Sequence, residues 1–390
     1  MLTDRRQVFR LLPAALAAAA LPASRARAAA APFRIGSILS VSGPAAFLGG
    51  DMKAGMTLAV EEINAAGGIN GRPIDWTLYD AESQTQKAIA ATRRLISQDR
   101  VDILVGGGNM SGIALAMAPM AESAGVPFIS TEGAGAIVEP VASHRFVFKS
   151  TVDDSQVIER LADFFAKKHV NKVALLADTS GFGQSAVGQM KRLAPAHQLD
   201  VIYEAFGPAD TDMMPQLTRI AQSDAEAILC WTVTPAGVVF IRQAQQLGLD
   251  KRLLIHSYGF VSQNYMKLAG AAAAALLLVS VKFPVGDQLP DSDPLKPVIA
   301  ALSRAFVKRF GHAPNQYVAQ TYDAIQLARI ALAAGGDDRE KCRAALEAVQ
   351  GYRGAGGVFT FSPERHSGLS KSDLVLLNWH DDRFNLADYA

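Results

Sequence analysis

Strand-like and helix-like stretches alternate along this chain almost without interruption, and no other feature limits its possible folds as much. The pattern opens with an apolar strand, Phe33 to Leu39, a Ser42-Gly43-Pro44 turn and the pair Gly49-Gly50. An Asp51-led helix follows, with Met52, Met56, Ala59, Val60 and Ile63 on helical spacing, and it stops at Gly67-Gly68. Asn70-Gly71-Arg72-Pro73 then turns the chain into a second strand, Asp75 to Tyr79. The unit repeats in kind. Strands are expected at Asp102 to Val105, Val126 to Ser130, Arg145 to Lys149, Lys172 to Ala177, Val201 to Phe206, Ala225 to Cys230 and Leu253 to His256. Helices are expected over Gln86 to Gln98, Gly112 to Ser123 and Asp153 to Lys168, and from near Gly183, Asp212 and Pro235. Helices over Pro294 to Phe310 and Gln316 to Ala334 follow, with Gly311 and Gly335 as their caps. Such alternation specifies parallel sheet with helices on both faces.

The first residues read as an address. Arg5 and Arg6 precede an apolar run from Leu11 to Leu21, and Ala26-Arg27-Ala28 supplies an A-x-A site. Residues 1–28 are therefore expected to be a signal peptide, of the twin-arginine type or an ordinary secretory one carrying two arginines. Of 38 basic and 37 acidic residues, five arginines and one aspartate fall in this segment, leaving a formal charge of −3 on the rest. No basic stripe remains, so a nucleic-acid partner is not expected. The 14-residue stretch from Leu268 to Val281 is shorter than the ~20 apolar residues of a membrane span, and reads as a buried helix end and strand. The remaining length suits two domains. Cys230 and Cys342 read as two buried thiols, although an exported location would also permit a disulfide.

Enzyme signatures are missing. There is no H-E-x-x-H, no G-x-S-x-G and no G-x-x-x-x-G-K-S/T, and the seven histidines show no metal-ligand spacing. No cofactor or metal is expected. Gly106-Gly107-Gly108-Asn109-Met110-Ser111-Gly112 comes nearest to a dinucleotide loop, but Ser111 replaces the third glycine and no acid ends the next strand. A helix starting at Gly112 would still present unpaired N–H groups and the positive end of its dipole. Ser111 then serves as a plain N-cap or as a contact for a bound anion.

The opening unit, with Ala59-Val60-Glu61-Glu62-Ile63-Asn64-Ala65-Ala66-Gly67-Gly68-Ile69-Asn70-Gly71-Arg72, resembles the periplasmic solute-binding proteins of the Leu/Ile/Val-binding type, which feed ABC importers. Asp178-Thr179-Ser180-Gly181-Phe182-Gly183, Ala209-Asp210-Thr211-Asp212, Gly311-His312-Ala313-Pro314 and Gly357 to Phe361 extend the resemblance over nearly the whole chain. It implies two doubly wound parallel-sheet lobes joined by a three-strand hinge, with crossings near Ser150, Val281 and Gly356. The first lobe would hold residues 32–150 and 282–355, and the second 151–281 and 356–390. It also implies a periplasmic monomer that closes on a small molecule and presents it to an ABC permease in the inner membrane. A ligand sensor of the same fold is the alternative.

The resemblance also supplies a pocket. Ser111, beside Met110, would bind the ligand's carboxylate. The loop Glu132-Gly133-Ala134 would line the same end, but Ala134 lacks the hydroxyl that the family's amino-acid binders carry there. Glu132 would repel a carboxylate unless it is paired or turned away. Phe182 stands where the family often has a tyrosine, Trp231 adds aromatic surface, and Phe47 or Leu48 would form an apolar wall. Tyr258 is the largest departure: amino-acid binders have an acid there that pairs with the ligand's ammonium. A phenol cannot replace that charge at neutral pH. The expected ligand therefore has no α-amino group, an aromatic or other hydrophobic carboxylate, unless Glu132 takes over the ammonium.

Overall fold

A computed structural model describes residues 31–388, so the segment assigned above to a signal peptide lies outside the described residues. The first sheet has five parallel strands: β1 (Phe33–Leu39), β2 (Ile74–Asp80), β3 (Ile103–Gly106), β4 (Phe128–Ser130) and β5 (Val147–Lys149), in the order β2-β1-β3-β4-β5. β3, β4 and β5 are buried along their whole length, as strands covered on both faces must be. Three helices connect these strands: α1 (Ala46–Ala65), α2 (Thr85–Ser97) and α3 (Ser111–Ser123).

The second sheet has seven strands, β6 (Lys172–Asp178), β7 (Asp200–Phe206), β8 (Ala227–Trp231), β9 (Leu253–His256), β10 (Leu276–Val281), β13 (Leu374–His380) and β14 (Arg383–Asp388). Their order is β14-β13-β10-β9-β8-β6-β7. β6 to β10 run parallel, and the C-terminal hairpin β13–β14 adds antiparallel to β10. Between the strands run α4 (Asp154–Lys168), α5 (Gly181–Leu193), α6 (Met214–Ala221), α7 (Ala236–Gln246) and α8 (Gln263–Ala269). The apolar stretch from Leu268 resolves into the end of α8, a short 3-10 turn over Gly270–Ala275, and β10.

After β10 the chain returns to the first sheet through α9 (Lys296–Phe310), α10 (Gln316–Gly335) and α11 (Arg339–Glu347). α10 packs along α1 and beneath β3 and β4. A small hairpin, β11 (Tyr352–Arg353) with β12 (Val358–Phe359), follows. Its neighbourhood stays with the first sheet: Asp323 on α10 accepts from the amides of Ala355 and Gly356, and His366 stacks on Phe148 at 3.9 Å. Ser367 bridges to Lys149 at the end of β5 before the chain enters β13.

Both sheets reverse strand order internally, the first between β1 and β3 and the second between β6 and β8. Loops leaving the carboxyl ends of such strands diverge, and the crevice between them is where open α/β sheets hold ligands. The two crevices face each other here.

Candidate functional site

Two helix N-termini meet at the centre of the molecule. α3 begins at Ser111 itself, with Met110 as N-cap and no side chain capping the first amides. Ser111 is thus the first helical residue and not the cap expected from sequence. The reason lies in Gly106, Gly107, Gly108 and Asn109, whose φ values of 118°, 157°, 70° and 65° wind the loop tightly and start the helix one residue early. The Ser111 hydroxyl accepts from the amide of Ala134 at 3.3 Å, which leaves its own proton free to donate. α5 is built otherwise. Ser180 caps it by accepting from the amides of Phe182 and Gly183, and Asp178 accepts from the Ser180 amide at 3.0 Å. A Cβ added at Gly181 would lie 3.1 Å from both the Cα and the amide nitrogen of Gly112. Only a residue without a side chain lets the two helices approach this closely.

A cavity of about 280 Å³ opens beside this contact, at the small end of the ~300–1,000 Å³ of typical ligand sites. Loops after β1, β3, β4, β6, β8 and β9 reach it, together with α10. Seven of the ten residues singled out from sequence line it: Leu48, Met110, Ser111, Glu132, Gly133, Phe182 and Tyr258. The other three do not. Phe47 points to the surface, 45% exposed, and its ring lies 5.6 Å from that of Tyr265. Ala134 is wholly buried behind the loop, where its amide meets Ser111 and its carbonyl accepts from Lys149. Trp231 is also fully buried and backs the pocket wall, its ring 5.7 Å from Phe182 and 6.1 Å from Tyr258. Phe182 and Tyr258 complete this aromatic group edge to face at 5.5 Å.

Glu132 is the one carboxylate among the cavity residues, and it is engaged. It accepts from the Asn109 amide (3.1 Å), the Ser130 hydroxyl (2.8 Å), and the amide (3.0 Å) and hydroxyl (2.9 Å) of Thr131. Burial pushes its pKa up, against these donors. Its role is to hold the Gly107–Asn109 loop against the end of β4. Behind it, Lys149 is fully buried and donates to the carbonyls of Gly133 (2.6 Å) and Ala134 (3.2 Å). Burial draws this ammonium below the usual lysine range, while Asp153 and Asp154 pull it back.

Tyr258 is 4% exposed, and its hydroxyl has no hydrogen-bond partner among the described residues. Burial holds the phenol well above its ordinary pKa, so it remains a donor. It lies against the backbone of Gly133, where any Cβ would collide with the phenol oxygen. Asn109 Oδ1 and Thr151 Oγ1 also lack partners, and both residues line the same cavity. Such buried, unanswered polar atoms cost about 1–3 kcal/mol each unless something else satisfies them.

A profile of the periplasmic binding protein family matches residues 32–382. The chain belongs to that family. Among curated relatives it is 25% identical over 394 residues to Leu/Ile/Val-binding protein homolog 7 of Brucella abortus (strain 2308), covering 97% of this chain and 95% of the relative. Among solved structures it is similar to an extracellular ligand-binding receptor from Rhodopseudomonas palustris HaA2, at a TM-score of 0.82 and 21% identity, covering 91% of this chain and 99% of that one. It is also similar to an ABC-transporter solute-binding protein from R. palustris in complex with benzoate, at a TM-score of 0.75 and 22% identity over 92% of this chain and 96% of that one. The family is one of extracytoplasmic substrate-binding proteins with two α/β lobes. No helix among the described residues is long and apolar enough to cross a membrane.

The two lobes of this periplasmic binding protein touch along the cleft. Gln316 and Tyr317 at the start of α10 donate to the carbonyls of Tyr258 (2.8 Å) and Gly259 (2.9 Å), and Gln189 on α5 donates to Glu139 (2.9 Å). Gln316, Tyr317 and Gln320 line the cavity, and sequence reasoning had assigned α10 only to packing. Nothing in their spacing distinguishes them from polar residues on a solvated helix face. Cys230 and Cys342 are free, buried thiols.

Proposed function

We propose that this protein is the ligand-capture component of an ABC importer, closing its lobes on a small carboxylate that carries no α-amino group, of aromatic or other hydrophobic character. The observation that carries this reading is the absence of any available anion among the cavity residues: Glu132 is bound by four donors, and position 258 is a phenol. A buried ammonium without a partner would cost several kcal/mol, about 3 or more. A carboxylate, in contrast, meets donors: the free proton of Ser111, the uncapped amides of α3 and the unpartnered phenol of Tyr258. Leu48, Met110, Gly133 and Phe182 supply the surrounding wall. The solved relative in complex with benzoate supports this class of ligand. The amino acids in the curated relative's name are the competing class.

In this reading the lobes divide at Ser150 and Val281. A third crossing near Ser367, later than the Gly356 expected from sequence, is supported by the contacts that Ala355, Gly356 and His366 make with α10 and β5. Residues 1–28 would direct export, and a permease in the membrane would take the closed form. No nucleophile, metal site or cofactor loop gives reason to assign a reaction. Calorimetric titration with leucine, phenylalanine, benzoate and 4-hydroxybenzoate tests the proposal. Binding of an aromatic carboxylate and silence with both amino acids is expected; tight leucine binding would refute it.

A further inference from the structure

Two glutamines on α10 face the cavity one turn apart, and the fold uses only one of them. Gln316 spends its amide on the architecture, donating to the Tyr258 carbonyl and accepting from the Ser280 hydroxyl at 3.3 Å. Gln320 is also buried, 4% exposed, and lines the same cavity, yet no group among the described residues hydrogen-bonds to its side chain. Nothing in the packing of α10 requires an amide there, since its buried neighbours are Val318, Ala319, Thr321 and Ala324. The Gln320 amide is therefore turned to the cavity and not spent on the fold. Asn109, Thr151 and Tyr258, which line the same cavity, also carry buried oxygens with no partner among the described residues.

The inventory of these groups narrows the guest further. Ser111, Tyr258 and the amides of α3 answer one carboxylate. Asn109, Thr151 and Gln320 then remain, and of these Gln320 offers both a donor and an acceptor on one amide not used by the fold. A neutral hydroxyl, which both donates and accepts, is the complement of an amide that does the same. We infer that Gln320 is a specificity-determining ligand contact that reads an uncharged hydrogen-bonding substituent, so that the substrate class is a hydroxylated aromatic carboxylate and not its unsubstituted parent. This rests on the proposed function above. The physical basis is the asymmetry of polar pockets: a site built to bond a hydroxyl discriminates strongly against an analogue that lacks it.

Calorimetry on paired ligands tests it: benzoate against 3- and 4-hydroxybenzoate, phenylacetate against 4-hydroxyphenylacetate, and leucine as the amino acid. The expected result is that the hydroxylated member of at least one pair binds about tenfold tighter or more. Gln320→Leu should bring that ratio close to one, and Gln320→Met gives the same readout should the first variant fold poorly. Unfolding midpoints of both variants without ligand separate loss of fold from loss of recognition. Equal affinity within every pair, or variants that keep the wild-type ratio, would overturn the role of Gln320 while leaving a carboxylate-binding protein in place. Binding of leucine alone, or of no carboxylate in the panel, would overturn both.

Discussion

The helix ends that meet at the cleft, α3 from the first lobe and α5 from the second, do opposite things with the same starting material. α5 satisfies itself: Ser180 and Asp178 consume its first amides and leave little for a guest. α3 has Met110 where a capping side chain would sit, and its serine lies inside the helix with a proton to give. The difference teaches that the lobes are not equivalent jaws. On the proposed reading, the first would carry most of the polar anchor, and the second would bring the aromatic wall of Phe182 and Tyr258 with a self-contained helix end.

The largest expected effect tests what holds the anchor in place. Lys149→Met removes the ammonium that ties down the Gly133 and Ala134 carbonyls and leaves Asp153 buried without its counter-charge. A loss of about 3–5 kcal/mol in chemical denaturation is expected, and a loss below about 1 would mean that the loop holds itself. The same cluster sets a pH dependence. Asp154, which accepts from the Gly135 amide at 3.1 Å, has its pKa raised by burial from 3.8 to about 7. Between those values the folded chain keeps a proton that the unfolded chain releases, so this group's contribution to stability falls as pH rises through the window and levels off above it. Asp153, with its pKa lowered, works in the opposite direction. Denaturation midpoints from pH 4.5 to 8 should therefore rise more with pH in Asp154→Asn than in the wild type, and parallel curves would count against the assignment.

Gly181→Val attacks the meeting of the helices. Its side chain would strike Gly112, so ligand affinity should fall on the order of a hundredfold, and scattering should show no compaction on adding ligand. Wild-type compaction in the variant would mean that the helices need not touch. Ser111→Ala should weaken a carboxylate by about 1–3 kcal/mol in titration. Its counterpart, Ser180→Ala, should cost about 1 kcal/mol of stability through the lost cap and leave affinity nearly unchanged. If the two serines behaved alike in both assays, the contrast between the lobes would fail.

Much of this architecture was written in periodicity. Fully buried strands such as β3 and β8 are short apolar runs between glycines and polar turns, so the alternation revealed the parallel sheets. The region of the third expected crossing, from Gly356 to Ser367, holds only two-residue strands and a single bridge, which carry no period. Phe47 and Leu48 were indistinguishable by type, yet adjacent helical positions point about 100° apart, and only Leu48 faces the cavity. Trp231 was named for its size; it ends a strand buried on both faces and so supports the pocket from behind. Gln320 stayed hidden because glutamines four apart on a helix ordinarily mark a solvated face. Only the tertiary placement of α10 turns them inward.

That placement of α10 has a consequence for the order of events during synthesis. The strands of the first sheet are among the earliest parts of the described chain to leave the ribosome, but the helix that covers β3 and β4 follows the whole second sheet except its C-terminal hairpin. Ser367, which borders β5, emerges later still. Until then one face of β3 and β4 has no cover, and the amino-terminal half of the protein cannot complete its own core. The second sheet's parallel strands β6 to β10 emerge as one unbroken block, but β13, which pairs with β10, comes after Ser367. Neither lobe can therefore finish before the last stretch of the chain, from α10 to β14, has been made.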